Sequence, residues 1–412
     1  AQNPIDKSEQ ELVKELDEIL AKGFQYRMVA DVPVGVFLSG GIDSATVAAV
    51  LQSRSSSPLK TFTIGFHEQG YDEAPYAKRI AEHIGSDHHE LYVTKEMAAE
   101  VIPKLPDIYD EPFGDSSGIP TYLVAQLARK EVKVALSGDG GDELFGGYTK
   151  YSAVDWYWKK RQVFPAATFY SAAFLLNIFS PEAVEKIYET LPSSLKTYTN
   201  IKDKIYKLRN LLKEKKFSDI FRLSNTFCTE EQLRILLSSF PGREKIDLYG
   251  FDKMHALTPI SQMQAADFRV YLPDDVLVKV DRATMAVGLE GREPFLDQSI
   301  AEYIARVPSA WKVRDGKGKY LLRKVLAKYV PEELFERPKQ GFGIPLYSWV
   351  KQDFSRYLQE YLSPAHLKKH GLFDEKEVER TLNTYFAGKG ENAHKLWYLL
   401  MFQMWYERWM DS

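Results

Sequence analysis

The stretch Ser39-Gly40-Gly41-Ile42-Asp43-Ser44 sets two glycines, two hydroxyls and a carboxylate between an apolar run, 34–38, and a helical pattern. A glycine loop joining a strand to a helix lets the backbone approach an anion closely, and free N–H groups at the helix start then face it. An aspartate there would repel a phosphate unless a divalent cation lies between them. Mg²⁺ suits that place, because it is held by one or two carboxylates together with phosphate oxygens. A second stretch, LSGDGGDELFGGY at 136–148, sets Asp139, Asp142 and Glu143 among five glycines. Both loops follow runs that read as strands, so both belong on the carboxyl rim of a sheet, where ligands of open α/β folds sit.

Familiar phosphate and nucleophile motifs do not account for these loops. No Lys follows the first pair of glycines, so the Walker pattern is absent. The second loop carries Glu143 where a dinucleotide fingerprint needs its last glycine. Neither Ser39, Ser44 nor Ser137 lies in a G-x-S-x-G elbow. An EF-hand would need a different ligand spacing and a closing Glu. His83, His88 and His89 do not read as a metal site, since adjacent strand residues point to opposite faces and no Cys stands nearby.

The elements that must position these loops alternate. Residues 7–30 read as an amphipathic helix with Leu12, Leu16, Ile19 and Leu20 at helical spacing. Runs 32–38, 59–66, 88–94 and 132–138 read as strands, separated by helical patterns at 72–85, 95–109 (interrupted by Pro103 and Pro106) and 119–130. This alternation predicts a doubly wound, mostly parallel α/β sheet with helices on both faces. After residue 150 helical periodicity dominates, and the aromatic-rich end, 396–412, is expected to dock on the core. The organisation expected is a linker and helix over 1–30, a nucleotide-binding core over 31–150, and a mainly helical remainder over 151–412.

Composition narrows the function classes. The 412 residues carry 57 acidic and 54 basic side chains, a formal net charge of −3, without the basic excess of a general nucleic-acid binder. A single cysteine, Cys228, excludes an internal disulfide and a Cys-rich zinc site and suggests a reducing, cytoplasmic setting. No window has 18 uninterrupted apolar residues; the nearest, 164–181, reads as a buried or docking helix, so no membrane association is expected.

With these residues in view the chain becomes recognisable. SGGIDS resembles the pyrophosphate loop of the ATP pyrophosphatase (PP-loop) superfamily. Together with SGDGGDELFGGY it resembles the synthetase domain of the glutamine-dependent asparagine synthetases. Further motifs agree in order: DEPFGDSSGIPTYL at 110–123, KVDRATM at 279–285, LEGREPFLD at 289–297 and RPKQGFGIPL at 337–346. The resemblance implies a five-stranded sheet and a set of roles. Leu38, Ser39, Gly40, Gly41, Asp43 and Ser44 would hold the phosphates of ATP; Ile64 and Gly65 would frame the adenine; Ser137 and Gly138 would lie near the ribose. Asp43 and Asp142 would hold Mg²⁺, and Lys339 would stabilise charge at the α-phosphate. Asp139 is the implied proton acceptor, with Glu290 as its partner carboxylate. Lys279, Asp281 and Arg282 are family-marked without a clear role, and Asp115, Ser116 and Ser117 are candidates for the carboxylate pocket.

The reaction so implied is adenylation of a carboxylate, L-aspartate by default, followed by attack of ammonia to give an amide and AMP. Such chemistry rests on positioning and charge stabilisation. Relatives begin with a glutaminase domain bearing an N-terminal nucleophilic Cys, whereas Ala1 falls where the linker into the synthetase domain would start. Ammonia is therefore expected free or from a glutaminase domain or subunit. The partners expected are otherwise small molecules, with a homodimer left open. Two alternatives stand beside this: amidation of another carboxylate, such as a sugar acid of a polysaccharide precursor, and a non-catalytic nucleotide-binding module.

Overall fold

The computed structural model describes residues 4–411 apart from 69, 179–207, 241, 243–246, 337–342, 353 and 388–392. Helix α1 (Glu9–Arg27) opens on a capping box in which Ser8 and Glu11 satisfy each other's backbone N–H. Its stripe of Leu12, Leu16 and Leu20 is fully buried, with Ile19 at the margin. There follow β1 (Val34–Phe37), α2 (Ile42–Gln52), β2 (Lys60–Phe66), α3 (Ala74–Ile84) and β3 (Asp87–Val93). The prolines split the next stretch into α4 (Lys95–Val101), a 3₁₀ turn (Ile102–Lys104) and α5 (Leu105–Tyr109). Pro103 and Pro106 fall in the first turns of their elements, where a missing N–H costs little. After α6 (Gly118–Ala128) come β4 (Val134–Leu136) and α7 (Gly141–Phe145).

All sheet pairings are parallel, in the order β3-β2-β1-β4-β5, with β5 at Glu290–Arg292. Alternate residues feed two cores. Phe62, Ile64, Phe66 and Ala135 face α6 and the C-terminal helices, while Val36, Val134 and Leu136 face α1, α2 and the helix Tyr320–Leu326. This is the near-continuous apolar patterning of a sheet covered on both faces. The chain moves outward from β1 through β2 and β3, then crosses back to place β4 and β5 on the other side. The order reverses between β1 and β4, so the two glycine loops flank the crevice where such sheets bind ligands.

Three strands are legible from apolar runs and β3 from its place between two helical patterns; the fifth is not. β5 has only three residues, Glu290-Gly291-Arg292, with no alternation to read, and it enters the sheet from within the stretch expected to be the helical remainder. That remainder begins with α8 (Thr149–Val163) and α9 (Ala166–Ile178), which join a third apolar cluster. α9 covers most of the apolar segment 164–181, whose residues 179–181 lie outside those described. It buries Phe169 and Ala173 but leaves Phe174 and Leu175 exposed, so its docking is only partial. No helix among the described residues is long and apolar enough to cross a membrane. The C-terminal helix Ala393–Trp409 does dock: Trp397, Trp405 and Trp409 donate their indole N–H to the carbonyls of Gly114 (3.0 Å), Asp110 (2.7 Å) and Pro106 (3.0 Å). These bonds brace α5 and the loop that follows it from behind.

Candidate active site

The first loop is a stapled turn. Ser44 Oγ accepts from the Ser39 N–H at 3.1 Å and lies 3.0 Å from Ser39 Oγ, which in turn accepts from the Gly41 N–H. Gly40 has φ +70°, and a Cβ there would meet Ala77 N and Tyr76 Cβ at 2.9 Å, so glycine is needed on two counts. Gly41 is the N-cap of α2 and offers no side-chain bond to the first turn. The leading N–H groups of α2 therefore face the crevice without a capping side chain, as an anion site requires.

The second loop packs directly on the first. A Cβ at Gly138 would lie 2.8 Å from Ser44 N, and one at Gly141 would lie 2.5 Å from Asp43 Oδ1. This close approach brings Asp43 and Asp142 onto one positive charge, the ammonium of Lys319: Asp142 Oδ1 is 2.6 Å from Nζ, and Asp43 Oδ2 is bonded to it as well. The burial of Lys319 is outweighed by the two carboxylates, which raise its pKa. The cradle admits no extra atom, since a Cβ at Gly147 would overlap Asp142 Oδ1 at 1.9 Å and Lys319 Cε at 2.1 Å. Two oxygen donors meeting at one cation are a donor set that fits Mg²⁺, with phosphate oxygens and water completing its shell. Among the described residues no group of three or more His, Cys, Asp or Glu converges as a metal site, so a phosphate would have to supply the remainder.

Both loops open into one cavity of about 950 Å³. Leu38, Ser39, Gly40, Gly41, Asp43, Ser44, Ile64, Ser137, Gly138, Asp139 and Asp142 all line it, together with Lys317, Lys319 and Arg323 on the side facing α2. Gly65 does not: it lies one residue further along β2, against Asp72, Tyr92 and Ala74. Glu290 lies outside the lining too. It is the first residue of β5, at the amino end of the strand, with a side chain 57% exposed and bonded to Arg292 Nε at 2.7 Å. Lys339 lies outside the described residues; Gly343, where they resume, lines the cavity.

The far end of the cavity is a cluster of charged and phenolic side chains. Lys279 Nζ lies 3.3 Å from Asp115 Oδ2, and Ser117 donates to Asp115 through its N–H (2.9 Å) and Oγ (2.7 Å). Burial works against the Asp115 carboxylate, but the Lys279 charge and the Ser117 bonds outweigh it and hold its pKa down. Burial likewise disfavours the Lys279 ammonium, yet Asp115 and Asp139 raise its pKa. Burial raises Asp139 despite Lys279 nearby. Burial and the charge of Asp115 push Asp275 up to about 6, and burial pushes Glu143, which accepts from the Tyr148 hydroxyl at 2.7 Å, to about 7.

Two contributors escape a sequence reading. Lys319 is one; its only signal is a Gly-Lys step, 318–319, ahead of the helix Tyr320–Leu326. The other is Glu293, three residues after Glu290 and, like it, outside the cavity lining, but half-buried behind the acidic loop. Arg292 O accepts from Ser137 N at 2.9 Å, which lays residue 293 beside the start of the acidic loop, and Leu296 packs against Gly140. Burial, then the charge of Asp139, pushes Glu293 to about 7.

Comparison with known proteins identifies the family. The family model described as asparagine synthase matches residues 15–407. The chain is 30% identical over 98% of its length to asparagine synthetase (glutamine-hydrolyzing) 1 of Bacillus subtilis strain 168, covering 60% of that protein. It is 32% identical over 98% of its length to the putative asparagine synthetase (glutamine-hydrolyzing) of Mycobacterium tuberculosis strain H37Rv, covering 59%. A more distant relative, 25% identical over 92% of the chain, is the amidase chry2 of Gibberella zeae. The chain thus spans about 60% of the length of the curated relatives it matches most fully. It belongs to the asparagine synthase family.

Proposed function

We propose that the chain is an ATP-dependent, amide-forming synthetase unit that adenylates a carboxylate, by default L-aspartate, releases pyrophosphate, and then passes the acyl group to ammonia, giving the amide and AMP. The observation that carries this reading is the meeting of two glycine loops at the switch point of the sheet, with Asp43 and Asp142 on one cation beside the open start of α2.

In this reading the N–H groups of α2 and the cationic edge of Lys317, Lys319 and Arg323 bind the β- and γ-phosphates, and Ile64 marks the adenine side. Mg²⁺, held by Asp43 and Asp142, supplies charge neutralisation for the departing pyrophosphate. Lys339 serves the α-phosphate, as the family resemblance suggests. The substrate carboxylate lies toward the ammonium of Lys279, which Asp115 holds in place, so that it is fixed for attack along the line of the leaving group. Ammonium cannot attack a carbonyl until it loses a proton. Asp139 lines the cavity between the phosphate end and Lys279, and its raised pKa suits it to take that proton. Ammonia comes free or from a glutaminase domain or subunit.

The test is to incubate the chain with ATP, Mg²⁺ and ammonium, vary the carboxylic acid, and measure pyrophosphate and AMP. Aspartate-dependent release of both is expected. Release of ADP and phosphate would sink the adenylation reading, and turnover with a sugar acid but not aspartate would move the substrate assignment.

A further inference from the structure

Lys319 is held more firmly than a phosphate-binding lysine needs to be. Its backbone is in the left-handed region, φ +62°, which costs a residue with a Cβ. Its N–H donates to Phe145 O at 3.0 Å, tying it to the last turn of α7, and the approach is so close that a Cβ at Gly318 would lie 2.2 Å from Gly146 O. The side chain, 8% exposed, then runs through the notch at Gly147 to reach Asp43 and Asp142 together. The fold thus spends a strained backbone and two obligatory glycines to deliver one ammonium to the point where the two carboxylates converge.

We propose that Lys319 is a built-in counter-cation that keeps the Asp43–Asp142 pair closed to a divalent cation until a polyphosphate draws its ammonium away, so that metal enters with the nucleotide and not ahead of it. The proposal rests on reading the crevice as a nucleotide site. With the ammonium in place, a divalent ion on the same two carboxylates would sit a few ångströms from a like charge in a poorly hydrated notch, which is unfavourable. A polyphosphate at the start of α2 changes the balance: it brings several negative charges within reach of Lys319 and leaves the two carboxylates in want of a cation. Lysine fits this part, because a compact charge on a flexible stem can swing between partners without moving the backbone. The consequence is a positive coupling between metal and nucleotide that depends on residue 319.

The experiment counts free Mn²⁺ by electron paramagnetic resonance as the full chain is titrated, without nucleotide and then with α,β-methylene-ATP, against a nucleotide-only control. The wild type should hold Mn²⁺ weakly alone and strongly with the analogue. Lys319→Met should bind Mn²⁺ alone about tenfold or more tighter than the wild type, within the usual range of site–site coupling, and Lys319→Met/Asp142→Asn should lose that gain. A Lys319→Met chain that binds Mn²⁺ alone no better than the wild type would overturn the proposal. So would a wild type that binds Mn²⁺ equally well with and without the analogue, a comparison that needs no variant to fold. Neither readout depends on turnover. Failure of every acid to release pyrophosphate would therefore remove the adenylation reading and leave the lysine result standing, and the reverse holds as well.

Discussion

At the end of the cavity proposed for the phosphates the chain works mainly with backbone: two loops, 39–44 and 137–143, whose glycines let amides and two carboxylates close on one point. At the other end it works with side chains from separate segments: Asp115 before α6, Asp139 after β4, Tyr271 and Asp275 ahead of the helix Val278–Met285, and Lys279 within it. The charges differ in the same sense. The phosphate end pairs Asp43 and Asp142 with Lys319, and Glu336 with Lys317 and Arg323, so its charges come close to balance; the far end sets Asp115, Asp139 and Asp275 against Lys279. A site that grips a constant group, a triphosphate, can be written into short local motifs. A site that must recognise one particular acid needs shape and charge assembled from a distance.

The comparison can be broken first at the phosphate end. Asp142→Asn keeps the shape of the loop but removes one of two negative charges from the cradle. Pyrophosphate release should fall by about 10³-fold, the upper range for removing one preorganised charge partner, while binding of the carboxylate substrate, measured by equilibrium dialysis, changes little. A loss shared equally between nucleotide and carboxylate would mean that the two ends are one unit. Lys279→Met makes the converse cut. It leaves Asp115 buried among other carboxylates without its ion-pair partner, and breaking such a pair costs about 3–5 kcal/mol. Calorimetry should show a lower Tm, and nucleotide binding should survive at temperatures well below it.

This difference also explains what could be read from sequence. Both loops, four of the strands and the parallel doubly wound sheet were legible because each depends on a local pattern: glycines at fixed offsets, short apolar runs in β1, β2 and β4, and strand patterns alternating with helical ones. Ser39 through Ser44, Ile64, Ser137, Gly138, Asp139 and Asp142 fall on the cavity wall for that reason. Lys319 was not legible, because its partners lie 276 and 177 positions away and its own left-handed backbone is of a kind that sequence patterns assign to glycine or asparagine. Glu290 and Glu293 show the limit of a motif most directly. Both belong to LEGREPFLD, but a strand alternates, so Glu290 turns with Arg292 toward the end of α1 while Gly291 packs on Thr284 and Val280. Only the register of β5 against β4 reveals which glutamate approaches Asp139.

A smaller effect sharpens the contrast from behind the far end. Trp397→Phe deletes the indole N–H that meets Gly114 O at 3.0 Å and strands that carbonyl next to a side chain only 1% exposed. An unmet buried acceptor costs about 1–3 kcal/mol. Because Gly114 directly precedes Asp115, the KM for the carboxylate should rise several-fold while the KM for ATP stays near its starting value. Equal rises in both would show that the C-terminal helix braces the whole crevice and not one end of it.

The finest test concerns the proton that the proposed reaction would leave to the far end. Asp139 can accept a proton only when ionised, so pyrophosphate-coupled amide formation should fall as pH drops through its raised pKa. Glu293, at about 7, carries partial negative charge near neutrality, and that charge helps to hold the Asp139 proton on. Glu293→Gln removes the charge and keeps the shape. The pKa of Asp139 should then fall, and the acid limb of the rate profile should move to lower pH, with the peak rate within about tenfold of the wild type because no reacting group is lost. Glu290→Gln, made in the same way at an exposed residue bonded to Arg292, should leave the limb in place. If Glu290→Gln moves the limb and Glu293→Gln does not, the carboxylate that partners Asp139 is the one at the amino end of β5, and the strand register is not what selects it.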